Sequence, residues 1–324
     1  MRTRVISAQQ EEAAEGIETD TKNAKAMAGF VQVRIDSWGE FRQVASQMQG
    51  CIYRGQSATA WPLSTSLERV IRRNDLITYR AGMALARNHE HWMLHEFKRK
   101  FGVYSTNPPE DNSNVEWLAI MQHHGAPTRL LDFTRSFYIA CFFATEASEG
   151  DAAVWALSSW SLRSRLKERF KLSYESGHDL KDTINLHHLE LANSVIGEYN
   201  TKKIQPGVIP FEPRRLTARM MRQQGIFLAP TVIENSFMQN LSAVFGLEET
   251  GDPPEIKLNE FTRLIGNWVS TPKSERCVVM KFVLPRTLHG EILRDLRAMN
   301  ITCETLFPDL DGLARSLVQQ VIVR

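Results

Sequence analysis

The chain has 324 residues, of which 43% are hydrophobic and 23% are charged, and its 39 Lys and Arg residues nearly balance 37 Asp and Glu residues. This length and composition are typical of a globular protein with one large domain or two smaller ones. A formal net charge of +2 excludes a chain built as a general polyanion binder, so any basic surface has to be local.

The spacing of the cysteines and the composition of the N-terminal residues indicate the cellular compartment of the protein. The cysteines are far apart and include no C-x-x-C pair, which is typical of a reducing compartment and argues against a sulfur-based zinc site. Residues 1–29 are polar, contain no apolar signal-peptide core, and are predicted to form a mobile tail. The longest apolar run, Phe137 to Ala144, is far shorter than the ~20 residues of a membrane helix. We therefore expect a cytoplasmic protein with no membrane partner.

The first third of the chain predicts the order strand, helix, strand, helices. "FVQVRID" alternates as a strand, Ser37 can cap the helix "WGEFRQVASQM", and "CIYRG" is predicted as the next strand. Apolar spacing of 3.6 residues predicts a long helix from about Leu76 to Phe101, which "NPPEDNSN" ends. Asn114 is then predicted as the N-cap of "VEWLAIMQHH", and Gly125 as its stop.

The rest of the chain predicts further strands and helices without regular alternation. "RLLDFT", "AAVWAL", "GIFLAP" and "RCVVMKFVLP" are predicted strands, and "SFYIACFFATEA" and "RRLTARMMRQQ" are predicted helices. Residues 160–200 are mostly polar and are predicted as a helical insertion at one edge. Helices from Arg286 and near Leu310 end the chain. This pattern predicts an α+β fold, with a mixed or antiparallel central sheet and flanking helices, in one domain over residues 30–324.

Common signatures of nucleotide and metal sites are absent from the sequence. No G-x-x-x-x-G-K-[ST] occurs and no G-x-G-x-x-G opens a helix, which argues against a P-loop and a Rossmann site. "HEHWMLH" is similar to a zinc-protease helix, but Met93 stands where the second histidine is needed. We interpret His91 and His95 as ordinary helix side chains and predict no metal site.

Two short stretches concentrate polar residues beside apolar strands. "YRGQ" places Arg54 at the end of a predicted strand, and an arginine that leaves an apolar strand usually does so toward a charged group. "QHHGAPTRLLDFTRS" contains Asp132 and Thr134, which the period-two rule puts on the same face. These side chains would form the floor of a cleft.

A structural interpretation of the second stretch stays open beside the functional one. In it, His124 caps the helix C-terminus, and Asp132 pairs with Arg129 or Arg135 to hold the turn.

The motifs "YRGQ", "QHHGAPTRLLDFT", "RQQGIF" and "LFPDLDGLAR" resemble, in order and spacing, the FRG-domain family, named for its [FY]-R-G opening. The resemblance spans about Ile52 to Arg315, and it implies a bacterial cytoplasmic protein with some relatives in phage-defence or toxin-like settings. Local alternatives stay open for the last two motifs. These are a helix end with Gly225 as the C′ residue, and a turn around Asp309 that begins the final helix.

A second resemblance, to ADP-ribosyltransferase-like folds, concerns the chemistry. Such folds carry an Arg or His on a first core strand, a Ser or Thr where a second strand leads into a helix, and a Glu or Gln before a later strand. Arg54, Thr134 and Gln223 match these positions in order. The resemblance implies NAD as a substrate. A guanidinium would hold the pyrophosphate or ribose, a hydroxyl would support the nicotinamide, and an acidic group would stabilise a cation-like ribose.

Gln223 departs from this pattern because an amide carries no negative charge, so Asp132 is the candidate for the acidic role. The catalytic residues that the resemblance implies are thus Arg54, Asp132, Thr134 and Gln223, and we expect them to meet His124 in one pocket. The implied NAD contacts are Tyr53, Arg54, Gly55, Gln56, His123, His124, Thr128 and Arg129. Three outcomes stay open: ADP-ribose transfer to an unidentified macromolecule, hydrolysis of NAD, and nucleotide binding without chemistry.

The competing hypothesis is a recognition module for a nucleotide, RNA or a protein. Arg215, Arg219 and Arg222 have helical spacing and would line one stripe near the cleft, as a phosphate-binding face does. A solvated helix face explains the same spacing, and no aromatic residues are interleaved as stacking platforms.

Overall fold

A computed structural model describes residues 30–73, 79–173, 180–197, 204–247, 255–266 and 279–322. The mobile tail predicted for residues 1–29 lies outside this part of the chain. The strands are β1 (Phe30–Arg34), β2 (Cys51–Gln56), β3 (Leu131–Thr134), β4 (Ala152–Ser158), β5 (Val208–Phe211), β6 (Gly225–Pro230), β7 (Glu255–Lys257) and β8 (Val279–Leu284).

The α-helices are α1 (Trp38–Gln47), α2 (Ser66–Arg72), α3 (Tyr79–Ala84), α4 (Ala86–Tyr104), α5 (Asn114–His123), α6 (Phe137–Thr145), α7 (Ser159–Arg169), α8 (Leu180–Gly197), α9 (Ala218–Arg222), α10 (Phe237–Phe245), α11 (Leu258–Gly266), α12 (His289–Ala298), α13 (Cys303–Leu306) and α14 (Leu310–Ile322). A short 3₁₀ turn, Arg286–Leu288, precedes α12.

The strands form one mixed sheet in the order β5-β6-β3-β2-β4-β8-β1-β7. β1 pairs parallel with β7 and β8, and the other neighbours pair antiparallel. Successive residues of β2 point to opposite faces. Tyr53 joins the apolar core under α1 and α6, and Ile52 joins the core on the other face with β3, β6 and α10. The predicted α+β fold with a mixed sheet and flanking helices is confirmed.

Several helix boundaries differ from the predictions. The long helix predicted over Leu76 to Phe101 is divided between α3 and α4 at Leu85, and residues 74–78 are outside the described ranges. The N-cap of α5 is Ser113, because Asn114 is already helical and its Oδ1 accepts from Lys98 Nζ at 3.0 Å. Ser113 makes no side-chain capping hydrogen bond, and its main-chain oxygen accepts from Trp117 N at 3.2 Å.

The helices α7 and α8 occupy the region predicted as a polar insertion. α8 packs against β5, the edge strand of the sheet, and against α5. Leu189, Ala192 and Val195 are buried there at a spacing of three residues. α8 therefore lies at the edge strand but supplies an apolar face to the core instead of a polar surface, whereas α7 also contacts the central strands β2 and β4.

Gly55 lies where α6 crosses β2. A Cβ atom at this position would be 2.1 Å from Ala140 O and 2.5 Å from Ala144 N. Both are main-chain atoms of α6 and cannot rotate away, so the contact can be relieved only by moving the helix. The glycine of "YRGQ" is therefore explained by close packing of a helix on a strand.

Replacing Gly55 with Ala should lower the free energy of unfolding by about 3 kcal/mol, because overpacking here forces a main-chain shift. Chemical denaturation measures this. Gly102→Ala on α4 is the matched control, since its Cβ would meet nothing within 4 Å in the described part of the chain. The control should be neutral or stabilise by about 0.5–1 kcal/mol. Equal stability of both variants would contradict the packing argument.

His188 on α8 is fully buried in a neutral form. Its Nδ1 lies 2.8 Å from Pro210 O, so this nitrogen donates, and Nε2 is buried without a hydrogen-bond partner among the described residues. Burial lowers the pKa of His188 to about 4, the hydrogen bond to Pro210 opposes this, and Arg163 and His187 lower the pKa further. The folded protein therefore resists protonation here.

Stability should fall as the pH is lowered from about 6.5 to about 4, because the unfolded chain binds a proton at His188 in this range and the folded chain does not. The loss should reach about 3 kcal/mol. His188→Asn keeps a donor for Pro210 O and does not titrate, so its unfolding free energy should fall less over the same range. Identical pH profiles of the variant and the parent would contradict this assignment.

Candidate functional site

A cavity of about 690 Å³ lies where β2 and β3 separate. The two strands share the register pair Tyr53–Thr134. Beyond this pair, Arg54 Nη1 donates to Asp132 O at 2.7 Å. The guanidinium thus takes the place of a main-chain donor where the hydrogen-bond ladder ends. The volume is within the range of about 300–1,000 Å³ that is typical of small-molecule sites.

Most of the predicted site residues meet at this cavity. Those that line it are Tyr53, Arg54, Gly55, Gln56, His123, Asp132, Thr134 and Gln223. His124, Thr128 and Arg129 are not among the lining residues. Four of the five residues expected to converge are therefore together, although Arg54 and Gln223 are 169 positions apart in the sequence (223 − 54).

The three predicted residues outside the cavity have other environments. His124 is exposed at the C-cap of α5, as the structural interpretation predicted. Thr128 is buried, and its hydroxyl donates to Gln122 Oε1 and accepts from Leu130 N.

Arg129 is 1% exposed and binds Glu90 through several hydrogen bonds, two of them at 2.8 and 2.9 Å. Arg135 pairs with Glu212. The predicted pairing of Asp132 with Arg129 or Arg135 is therefore wrong, because each arginine meets a carboxylate from a distant part of the chain.

Three polar residues at the cavity are held by internal hydrogen bonds. Thr134 Oγ1 donates to Gln223 O at 2.7 Å and accepts from Ser136 N at 3.0 Å. Gln223 Nε2 donates to Leu306 O at 3.1 Å. Gln56 Nε2 donates to Pro62 O, and its Oε1 accepts from Trp155 Nε1. These side chains fix the walls of the cavity.

The helix predicted from "RRLTARMMRQQ" is much shorter than expected. α9 begins at Ala218 after the Thr217 cap, so Arg215 precedes the helix and instead donates to Pro108 O at 2.8 Å. Arg219 lines the cavity, and Arg222 Nη1 donates to Thr305 O. The predicted arginine stripe is therefore wrong: Thr217 starts the helix too late for the three arginines to share a face.

The local predictions for the two later motifs have different outcomes. Gln224, with φ +49°, is the left-handed residue after α9, and Gly225 already begins β6. The assignment of Gly225 as C′ residue is wrong, because the helix ends one residue earlier. In the last motif Asp309 Oδ1 accepts from Gly312 N at 2.8 Å as α14 begins, which confirms the predicted turn and helix start.

Positive charge dominates the cavity wall. Its lining contains the arginines Arg54, Arg69, Arg72, Arg73 and Arg219. Asp132 is the one carboxylate among the described lining residues, which leaves a formal excess of four positive charges. The sequence reading missed Arg69, Arg72 and Arg73, which have the i, i+3, i+4 spacing of one helix face, because it predicted no helix at α2.

Arg54, Asp132 and Arg69 interact electrostatically. Burial lowers the pKa of Arg54, the Asp132 carboxylate opposes this, and Arg69 lowers the pKa further. Burial also lowers the pKa of Arg69, Arg73 lowers it further, and Asp132 and Glu68 oppose the shift. Arg54 Nε is buried and has no hydrogen-bond partner in the described part of the chain. Such a group is suited to an anionic ligand.

His123 lies on the same wall, on α5. Burial lowers the pKa of His123, the neighbouring His124 and Arg219 lower it further, and Asp309 opposes the shift. The ring is therefore neutral near pH 7 and adds hydrogen-bonding capacity without further positive charge.

These features define an α+β protein with a basic, small-molecule-sized cleft at the junction of two strands. The family model of the FRG domain matches residues 49–152, so the chain contains an FRG domain, as its motifs predicted. The match includes β2, β3 and α6, whereas Gln223 and the last motif lie beyond it. No curated protein and no solved structure matches the chain.

Membrane-spanning helices and metal-binding clusters are both absent from the described residues. None of their helices is both long and apolar enough to cross a membrane. Within the same ranges, no group of three or more His, Cys, Asp or Glu residues is arranged to hold a metal ion.

Proposed function

We propose that the cavity binds a phosphate-bearing nucleotide, with NAD as the candidate ligand. The observation that carries this proposal is the excess of guanidinium groups around one carboxylate in a cavity of about 690 Å³. Guanidinium groups bind phosphate oxygens through paired, charge-assisted hydrogen bonds. The size of the cavity and its charge both suit a small phosphate-bearing ligand.

Arg54 is the residue best placed to contact the phosphates. Its Nη1 is held by Asp132 O, which orients the guanidinium, and its Nε is buried without a partner among the described residues. Leaving a buried donor unpaired costs about 1–3 kcal/mol, and a phosphate oxygen would remove that cost.

If NAD is cleaved here, the bond between the ribose C1′ and the nicotinamide nitrogen breaks, and its electron pair leaves with nicotinamide. Water or an acceptor nucleophile then bonds to C1′ and loses a proton. Asp132 would stabilise the positive charge that develops on the ribose. Thr134 and Gln223 would contribute indirectly, because their hydrogen bonds hold the cavity wall in place. A toxin or phage-defence setting with a macromolecular acceptor belongs to the same proposal.

A second candidate function is a recognition module that binds a nucleotide, RNA or a protein without chemistry. The internal hydrogen bonds of Gln56, Thr134 and Gln223 favour it, because these side chains are already bound to partners within the chain.

Replacing Arg54 with Ala should weaken NAD binding by about 10-fold to 100-fold, the usual worth of a charge-assisted hydrogen bond, and leave the melting temperature within a few degrees. Calorimetric titration measures the affinity, and chromatography measures nicotinamide release. Arg215→Ala is the matched control, since Arg215 also donates to a main-chain carbonyl at 2.8 Å but does not line the cavity.

A wild-type protein that neither binds nor cleaves NAD would overturn the NAD proposal and favour the recognition module. A sharp fall of the melting temperature in Arg54→Ala alone would instead make Arg54 a structural residue, because its bond to Asp132 O would then be its main contribution.

A further inference from the structure

Two arginines of α2 and the arginine at its C-cap form one wall of the cavity. Arg69, Arg72 and Arg73, which we call the α2 arginine face, are at positions i, i+3 and i+4 and all line the cavity. Such spacing puts side chains on the same side of a helix. On the opposite side, Leu67 and Ile71 are buried in the apolar core. The helix thus turns its charged side toward the cavity.

The three guanidinium groups differ in what already neutralises them. Arg72 Nη2 lies 3.2 Å from Glu68 Oε1, a buried carboxylate that also accepts from Phe237 N. Arg69 Nη1 donates to Ser64 O at 2.5 Å, and that carbonyl brings no net charge. Arg73 has no side-chain partner among the described residues. Glu68 also acts electrostatically on Arg69. This single carboxylate of α2 offsets one of the three positive charges, and two remain.

The five arginines that line the cavity, less the carboxylates Asp132 and Glu68, leave three formal positive charges. The two phosphodiesters of an internal pyrophosphate bring only two negative charges. Asp132 lies beside Arg54 and Arg69, and Arg72 has Glu68. Each phosphodiester brings a single negative charge, whereas a terminal phosphomonoester brings about −1.5 to −2 at neutral pH. Arginine is also the side chain that accommodates a 2′-phosphate on a dinucleotide ribose.

We propose that the α2 arginine face is a phosphomonoester subsite, and that the cavity takes a nucleotide with a terminal phosphate in addition to its internal ones. This inference rests on the proposed nucleotide-binding function and names the ligand class of the same site. Arg54 contacts the internal phosphates, and Arg69 and Arg73 contact the terminal one. NADP, which differs from NAD by one 2′-phosphate, is the simplest ligand of this class.

The test compares NAD and NADP as paired probes by calorimetric titration at low ionic strength. The wild-type protein should bind NADP at least about 10-fold more tightly than NAD, since one charge-assisted phosphate contact is worth that much. Arg73→Gln should reduce NADP affinity about 10-fold and leave NAD affinity within about two-fold. Arg215→Gln, outside the cavity, should change neither affinity.

Raising the salt concentration should reduce the preference for NADP, because the Arg73 guanidinium is exposed and its charge is screened. Equal affinity of the wild-type protein for NAD and NADP would overturn the subsite and keep the proposed function. An equal loss of affinity for NAD and NADP in Arg73→Gln would also overturn the subsite and keep the proposed function. Failure of the wild-type protein to bind either ligand would overturn the proposed function together with the subsite.

Discussion

Replacing Asp132 with Asn should reduce nicotinamide release from NAD by about 10²–10³-fold, whereas Gln223→Ala should reduce it far less. Asp132 is the one carboxylate among the described lining residues of the cavity, so no other side chain of this wall can offset a positive charge on the ribose. Asn has nearly the same shape, and it keeps the main-chain carbonyl that accepts from Arg54. The change therefore removes the charge and little else.

Gln223→Ala removes the hydrogen bond to Leu306 O, which is worth about 1 kcal/mol, but keeps the main-chain acceptor of Thr134. Release assays should be paired with melting temperatures of both variants. Wild-type turnover in Asp132→Asn, together with an inactive Gln223→Ala, would contradict this mechanism. A fall of activity in Asp132→Asn that merely follows its stability would make Asp132 a structural residue.

Replacing Glu90 with Ala should lower the free energy of unfolding by about 3–5 kcal/mol, because Arg129 would be left as an uncompensated buried charge. Glu90 is 3% exposed and Arg129 is 1% exposed, and the pair is joined by several hydrogen bonds. Urea denaturation measures the loss. Glu90→Gln is the milder variant and should lose less, since its amide oxygen still accepts from the guanidinium.

The double variant Glu90→Leu with Arg129→Met should recover most of this stability, because a buried ion pair replaced by apolar groups is often neutral or stabilising. The same variant tests the predicted NAD contact of Arg129. NAD affinity equal to wild type would assign Arg129 to the core alone, whereas a loss of affinity in a stable double variant would show a contribution to binding. A loss of less than about 1 kcal/mol in Glu90→Ala would contradict the buried pair.

Local sequence patterns determined much of the fold. The alternating or apolar runs at β1, β2, β3, β4 and β6 predicted strands that the structure contains, because side-chain period and turn residues act over a few neighbours. Ser37 and Gly125 mark the ends of α1 and α5 as predicted, since a cap depends on its own side chain or its own φ angle. The polar residues of the first two motifs were enough to indicate the cleft.

Only the tertiary structure decided what each polar residue does. Arg129 and Glu90 are 39 positions apart, and Thr134 and Gln223 are 89 apart. No local pattern shows whether such a side chain finds a partner within the chain or faces a cavity. The α2 arginine face had the spacing of a helix, but its place in the cavity wall depends on the packing that brings it to the same cavity as residues of β2 and β3. Burial and charge pairing depend on which distant segments pack together, and that is a property of the whole fold rather than of any short stretch.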